Sequence, residues 1–244
     1  MRNKTFFLKE VDSTNNEAAR HLDAAPHGAV WVTSFQQAGR GQQENRWESE
    51  NGKNLLFSVL LRPASFRAES QFLISQIVAL GICDYLRALD LPALIKWTND
   101  VYVSHRKIAG ILIEHHIYGE YINSTIAGIG LNVNQMQFHH APLATSMALE
   151  AGREYTLNTV LDELLTYIFK RYDGHYATLH TDYLNALYLY RQWSWYEAET
   201  RRFRAQITDV KPTGELVLQH ENGTTEAFLQ KSIVFLPHDF TSEN

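Results

Sequence analysis

The chain has 244 residues, 45% hydrophobic and 20% charged, with 22 Lys and Arg against 27 Asp and Glu for a formal net charge of −5. This is the composition of a soluble globular protein, not a disordered or fibrous one, and the acidic balance argues against a protein built to coat nucleic acid. Cys83 is the single cysteine, which excludes a disulfide framework and an all-cysteine metal site.

The length suits one large domain, or one large and one small. Charge interrupts the opening MRNKTFFLKEVD too early for a secretory signal, and no window approaches 18 uncharged apolar residues. The expectation is a cytoplasmic protein with no membrane partner.

In chain order, TFFLKEV (5–11) reads as a first strand. Thr14 stands three residues before Glu17, which is capping-box spacing and predicts a helix from Thr14 to about residue 23, ended by Pro26 and Gly28. AVWVTSF (29–35) reads as a buried strand. Nineteen polar, glycine-bearing residues follow (36–54), then strand-like LLFSVLLRP (55–63). A long polar loop inside a compact domain is usually functional or disordered.

Apolar residues over 69–89 predict a long buried helix holding Cys83 in the core. From 94 to 134 short apolar runs alternate with turns at His105-Arg106 and Tyr118-Gly119-Glu120, predicting three or four antiparallel strands. Residues 156–179 and 182–192 carry helical spacing. After Trp195, short strand candidates separated by Pro212-Thr213-Gly214 and Asn222-Gly223 predict a small barrel. The aromatic run of Tyr183, Tyr188, Tyr190, Trp193, Trp195 and Tyr196 reads as core or domain interface.

Four segments carry candidate chemistry. In Gln36-Gln37-Ala38-Gly39-Arg40-Gly41, ending at Trp47, two glycines flank an arginine. Glycines let backbone amides approach anionic oxygens, and arginine pairs with phosphate or carboxylate in two-point fashion. A flexible surface loop is the plain alternative. Lys96-Trp97-Thr98-Asn99-Asp100 is a polar platform between strands, or simply a turn. Lys107 opens the strand KIAGILIE, where Gly110 leaves room for something flat or marks a bulge. In Gly128-Ile129-Gly130-Leu131-Asn132-Val133-Asn134 the alternate glycines allow close approach, and Asn132 and Asn134 share a face if the strand continues. The histidines offer no spaced metal-ligand set: His115 and His116 are adjacent in a strand and point to opposite faces.

Taken in order, with Ser13-Thr14-Asn15 before them and Ala144-Thr145-Ser146-Met147 after them, these segments resemble the biotin protein ligases. The resemblance covers about residues 6–150 by motif and the tail by architecture. It implies an α+β fold, a mixed sheet with flanking helices related to class II aminoacyl-tRNA synthetases (1–192), and a small C-terminal SH3-like β-barrel (193–244). It implies activation of biotin by ATP to biotinyl-5′-AMP, with Mg²⁺, and transfer to a lysine of a biotin carboxyl carrier protein. Ser13, Thr14, Asn15, Gln36, Gly39, Arg40, Gly41, Lys107 and Gly110 then bind biotin, with Gly110 beneath the ureido ring. That use of Thr14 competes with the capping reading.

By the same resemblance Arg40, Trp47, Lys96, Asn99 and Asn132 bind the nucleotide. Arg40, Lys107, Lys96 and Asp100 carry catalysis, with Asp100 either holding Mg²⁺ or orienting the incoming amine. The family pattern departs here at Gln42, Glu44 and Asn45, which removes two cations and adds a carboxylate, so weaker retention of the adenylate is expected. Thr98 stands in place of a proline. The motifs begin at residue 13, so no N-terminal DNA-binding domain and no nucleic-acid partner are expected. A homodimer is compatible. The alternatives are a lipoate or octanoate ligase or transferase of the same fold, and a non-catalytic biotin-binding regulator.

Overall fold

The structure is a computed structural model describing residues 4–39, 41 and 47–236. Seven strands form one mixed sheet: β1 (Thr5–Leu8), β2 (Val30–Thr33), β3 (Leu55–Leu61), β4 (Leu94–Lys96), β5 (Asp100–Val103), β6 (Arg106–Tyr118) and β7 (Tyr121–Leu131). Their order across the sheet is β1-β2-β3-β7-β6-β5-β4. Only the β1–β2 pair is parallel. The expected strands between 94 and 134 are thus four antiparallel ones. Their first tight hairpin turn is Ser104-His105, one residue earlier than the sequence suggests, with φ of 50° and 64° at the two corner residues. Positive φ at both corners is what the right-handed twist of a two-residue hairpin demands.

Helix α1 (Thr14–Arg20) covers one face of the sheet, sealing a small core of Ala18, Trp31, Leu60 and Ile126. The other face packs α2 (Phe72–Ala88), backed by α4 (Leu157–Tyr172) and α5 (Leu179–Ala186); the short α3 (Met147–Ala151) is capped by the Ser146 side chain. Cys83 is fully buried in α2, and that burial pushes its thiol pKa up to about 12.

Helix boundaries differ from the sequence reading in three places, the first being the helix expected over 156–179, which ends at Tyr172. The N-cap of α1 is Ser13, not Thr14, and no side chain caps it. Thr14 turns inward to the sheet instead. The helix expected at 182–192 runs from 179 to 186. Beyond it the backbone is spent on pairing: Tyr188 N–H donates to Ile95 O and Arg191 N–H to Ile207 O, which tie this linker to both sheets.

The C-terminal strands β8 (Trp193–Ala198), β9 (Arg201–Val210), β10 (Leu216–His220), β11 (Thr225–Phe228) and β12 (Val234–Phe235) form a second, antiparallel sheet of order β11-β10-β9-β8-β12. Tyr183 and Tyr196 are buried as expected, while Trp193 is 42% exposed. The two units meet where the Trp97 indole N–H donates to Gly214 O at 2.9 Å and His180 pairs with Asp209 at 2.8 Å.

Candidate active site

Sheet register builds the site. Lys96, Asp100, Gly110, Gly130 and Leu56 are successive cross-strand partners, so they form one row on the α1 face. Strands lie about 4.8 Å apart. Lys96 is two strands from Gly110, roughly 10 Å, and therefore stands outside the cleft beneath α1. A second row, Leu112, Gly128 and Ser58, lies beside the first.

The cleft is lined by Ser13, Thr14, Asn15, Gln36, Gly41, Trp47, Asn99, Lys107 and Gly110 together with Gly128 and Gly130. Nine of the residues singled out from sequence thus converge, although they come from separate elements. Arg40, with Gln42, Glu44 and Asn45, lies outside the described residues. Gly39 is buried beside Gln36, whose side-chain nitrogen lies 3.2 Å from where a Cβ on Gly39 would sit.

Lys107 reaches this face through a bulge. Strict alternation would place residues 107 and 110 on opposite faces. The β5–β6 register shifts, pairing Val101 with Ala109 but Tyr102 with Lys107, so Ile108 is the extra residue. One extra residue restores the parity. The bulge suggested at Gly110 therefore sits two residues earlier. Lys107 Nζ lies 2.7 Å from Asp100 Oδ1 and 5.5 Å from the centre of the Trp47 ring. Its backbone is gripped from both sides: Lys107 N–H donates to Leu143 O and Thr145 N–H to Lys107 O. The Ala144-Thr145-Ser146-Met147 segment thus braces the lysine rather than lining the cleft.

The glycine floor is occupied by the chain itself. A Cβ on Gly110 would stand 2.7 Å from the Trp47 ring and one on Gly130 2.5 Å from it. The flat group lying on Gly110 in this structure is the Trp47 indole. Trp47 N–H donates to Gly39 O, fixing the far end of the loop against its start.

At the α1 end the cleft is polar. Thr14 N–H donates to Gln36 Oε1 at 2.8 Å, and the Ser58 hydroxyl lies 2.7 Å from Thr14 Oγ1 and 2.6 Å from Asn15 Oδ1. Ser58 escaped the sequence reading. Its signal was there: a lone hydroxyl in the middle of LLFSVLL, a strand buried along its whole length.

Lys96 stands further along the same row, beyond the cleft. Its Nζ donates to Tyr102 Oη at 3.2 Å and lies 5.5 Å from the Phe235 ring of the second sheet. Burial pushes its pKa below the ordinary lysine value, with the Asp100 carboxylate working against the shift. Asn132 is buried and donates to Thr145 O; Asn134 exchanges hydrogen bonds with the Tyr155 backbone. Because β7 ends at Leu131, their two-residue spacing no longer sets a common face, and both pin loops. Asn99 donates to Ile111 O at 2.8 Å, which holds the platform turn against β6. Among the described residues no group of three or more His, Cys, Asp or Glu side chains is placed to hold a metal ion. Asp100 pairs with Lys107.

The cleft thus carries amides and hydroxyls at one end and a lysine–carboxylate pair at the other. Residues 7–134 match the model of the biotin/lipoate A/B protein ligase family. The chain belongs to that family. It is 32% identical over 171 residues to the bifunctional ligase/repressor BirA of Bacillus subtilis, covering 68% of this chain and 51% of that protein. It is 36% identical over 130 residues to the biotin–[acetyl-CoA-carboxylase] ligase of Paracoccus denitrificans, covering 52% and 53%. The chain's match thus spans about half the length of these curated relatives. In fold it matches the Aquifex aeolicus biotin protein ligase solved in complex with biotin and ATP, with a TM-score of 0.79 at 24% identity over 96% of this chain and 98% of that one. The two sheets are accordingly the ligase catalytic fold and an SH3-like C-terminal unit.

Proposed function

We propose that this chain is a biotin protein ligase, residues 1–192 forming its catalytic domain and 193–244 its barrel. The observation that carries the reading is the polarity of the cleft: Thr14, Gln36, Ser58 and Asn15 cluster at one end and Lys107 stands at the other. A cyclic urea satisfies such a polar end. The dithiolane of lipoate would leave its groups unpaired, and a site built to hydrogen-bond strongly disfavours a ligand that cannot.

In the first step a biotin carboxylate oxygen attacks the α-phosphorus of ATP. The bond to the bridging oxygen breaks, and pyrophosphate leaves. Two anions must meet, so cations at the reacting centre supply most of the help. Lys107 is suited to bridge the carboxylate and the α-phosphate, with Asp100 aiming its ammonium. We assign Arg40 the same charge-neutralising role from the family pattern. Lys96, further along the row, extends the positive charge towards the leaving group. In the second step a carrier-protein lysine amine attacks the acyl carbon, the acyl–phosphate bond breaks, and AMP leaves as the amide forms. Among the described residues no carboxylate cluster cages Mg²⁺, and we treat the ion as part of the MgATP substrate. The single buried thiol suits a reducing cytoplasm.

Biotin-dependent exchange of pyrophosphate into ATP tests the reading. Exchange with biotin and none with lipoate is expected, together with a rise in Tm from biotin alone. Mass action gives about 2.7 kcal/mol of stabilisation at a hundredfold excess over Kd. Exchange with lipoate only would establish the lipoate reading. Stabilisation by biotin without any exchange would make the chain a non-catalytic binder.

A further inference from the structure

Glu114 ends the KIAGILIE run within β6, on the same face as Gly110 and Leu112, at the edge of the polar end of the cleft. Its Oε2 accepts from Asn15 Nδ2 at 2.7 Å, and Leu112 O takes a longer contact from the same nitrogen at 3.3 Å. Both partners are acceptors only, so the NH₂ of Asn15 must face them. Its Oδ1 therefore faces Ser58, 2.6 Å away.

An amide oxygen carries no proton, so the Ser58 hydroxyl must give its own to Asn15. Ser58 then has none left for Thr14, 2.7 Å off, and the Thr14 hydroxyl must donate to Ser58. That contact prevails over the longer one of 3.3 Å from Thr14 to Gln36 Oε1. Thr14 Oγ1 is left with lone pairs only for whatever enters the cleft. Gln36 is fixed by the same logic. Its Oε1 takes the Thr14 backbone N–H at 2.8 Å, which leaves its NH₂ as the donor side. The polar end presents one acceptor beside one donor, and that is the complement of an N–H next to a C=O in a cyclic urea.

We infer that Glu114 is a positioning residue that sets ureido recognition through the Asn15–Ser58–Thr14 proton relay. The inference rests on the biotin reading above and deepens it. Without an acceptor at position 114, only the longer contact to Leu112 O holds the Asn15 amide, which can then reverse. Ser58 and Thr14 then reverse in turn, and the Thr14 hydroxyl, held only by its 3.3 Å contact to Gln36 Oε1, no longer stands as a fixed acceptor for a ligand N–H.

The test compares binding of biotin with binding of its two ureido N-methyl derivatives, by calorimetry. For Glu114→Leu, biotin affinity should fall roughly tenfold or more, as expected when one buried hydrogen bond is mismatched. Affinity for the derivative methylated at the nitrogen facing Thr14 should change less than about threefold, because that ligand lacks the N–H already. Glu114→Gln keeps an acceptor oxygen and should stay within about threefold of wild type for biotin. Ser58→Ala breaks the relay at its middle and should show the same loss of selectivity, which keeps the test decisive if Glu114→Leu folds poorly. Equal losses for all three ligands, no loss in either Glu114→Leu or Ser58→Ala, or a Glu114→Gln variant as weak as Glu114→Leu would overturn the relay while leaving the ligase reading intact. Failure of wild type to bind biotin would overturn both.

Discussion

A methyl group on Gly128 would stand 2.2 Å from Asn15 Oδ1 and 2.9 Å from Asn15 Cγ. Asn15 has nowhere to retreat. It is 3% exposed, sits in the first turn of α1, and is held by Glu114, Leu112 O and Ser58. Relief to ordinary contact requires the amide to move about 1 Å, further than a 2.6 Å hydrogen bond tolerates. Gly128→Ala should lose the buried Ser58–Asn15 hydrogen bond, leaving its groups unpaired at a cost of about 1–3 kcal/mol. Overpacking strain adds about 1–3 kcal/mol. Replacing glycine within a strand returns roughly 0.5–1 kcal/mol. The net expectation is destabilisation by about 2–4 kcal/mol, or a Tm drop of roughly 5–15 °C for a chain of this size.

Thermal unfolding of wild type, Gly128→Ala, Asn15→Ala and the double variant measures it. Removing the Asn15 amide removes the clash, so the double variant should be more stable than the two single losses added together, with a coupling of about 1–2 kcal/mol. A Gly128→Ala protein within about 0.5 kcal/mol of wild type, the size of an ordinary surface substitution, would refute the reasoning. Strict additivity would refute it too.

Three further outcomes are expected. Lys107→Ala should lower biotin-dependent pyrophosphate exchange by about 10²–10³-fold, the cost of removing one aimed charge at a reacting centre, with Tm little changed because the side chain is one-third exposed. Trp97→Phe should cost about 1–2 kcal/mol on thermal melting, since it leaves the Gly214 carbonyl without its indole donor where the two units meet. Burial pushes the His115 pKa below its ordinary value, with His116 adding to the shift. The folded state therefore binds fewer protons than the unfolded one, and this stability is complete above about pH 6.5 and lost as pH falls below it. A Tm profile between pH 7 and 5 should be shallower for His115→Gln than for wild type, and equal slopes would contradict the assignment.

Much of this protein was legible in its sequence because the signals are local. Alternation marked the strands of the 94–134 region, the helical period marked α2 and α4, and Asn222-Gly223 marked a barrel turn. Motif order alone brought Ser13, Gln36, Trp47 and Lys107 into one family pattern, although they stem from different elements.

What the sequence could not decide was anything set by register or by competition for a hydrogen bond. Thr14 has capping spacing, yet it turns inward because Ser58 and Gln36 wait there. Asn132 and Asn134 have the spacing of a shared face, yet each is taken by a loop because β7 has ended. Lys96 and Lys107 look equivalent as lysines at strand positions. Only the strand order puts one two strands away from the cleft floor, and only the bulge at Ile108 turns the other onto it. The physical reason is common to all of these. Side-chain type and period are properties of a segment, whereas the face and the partner a residue acquires depend on which strand lies next to it.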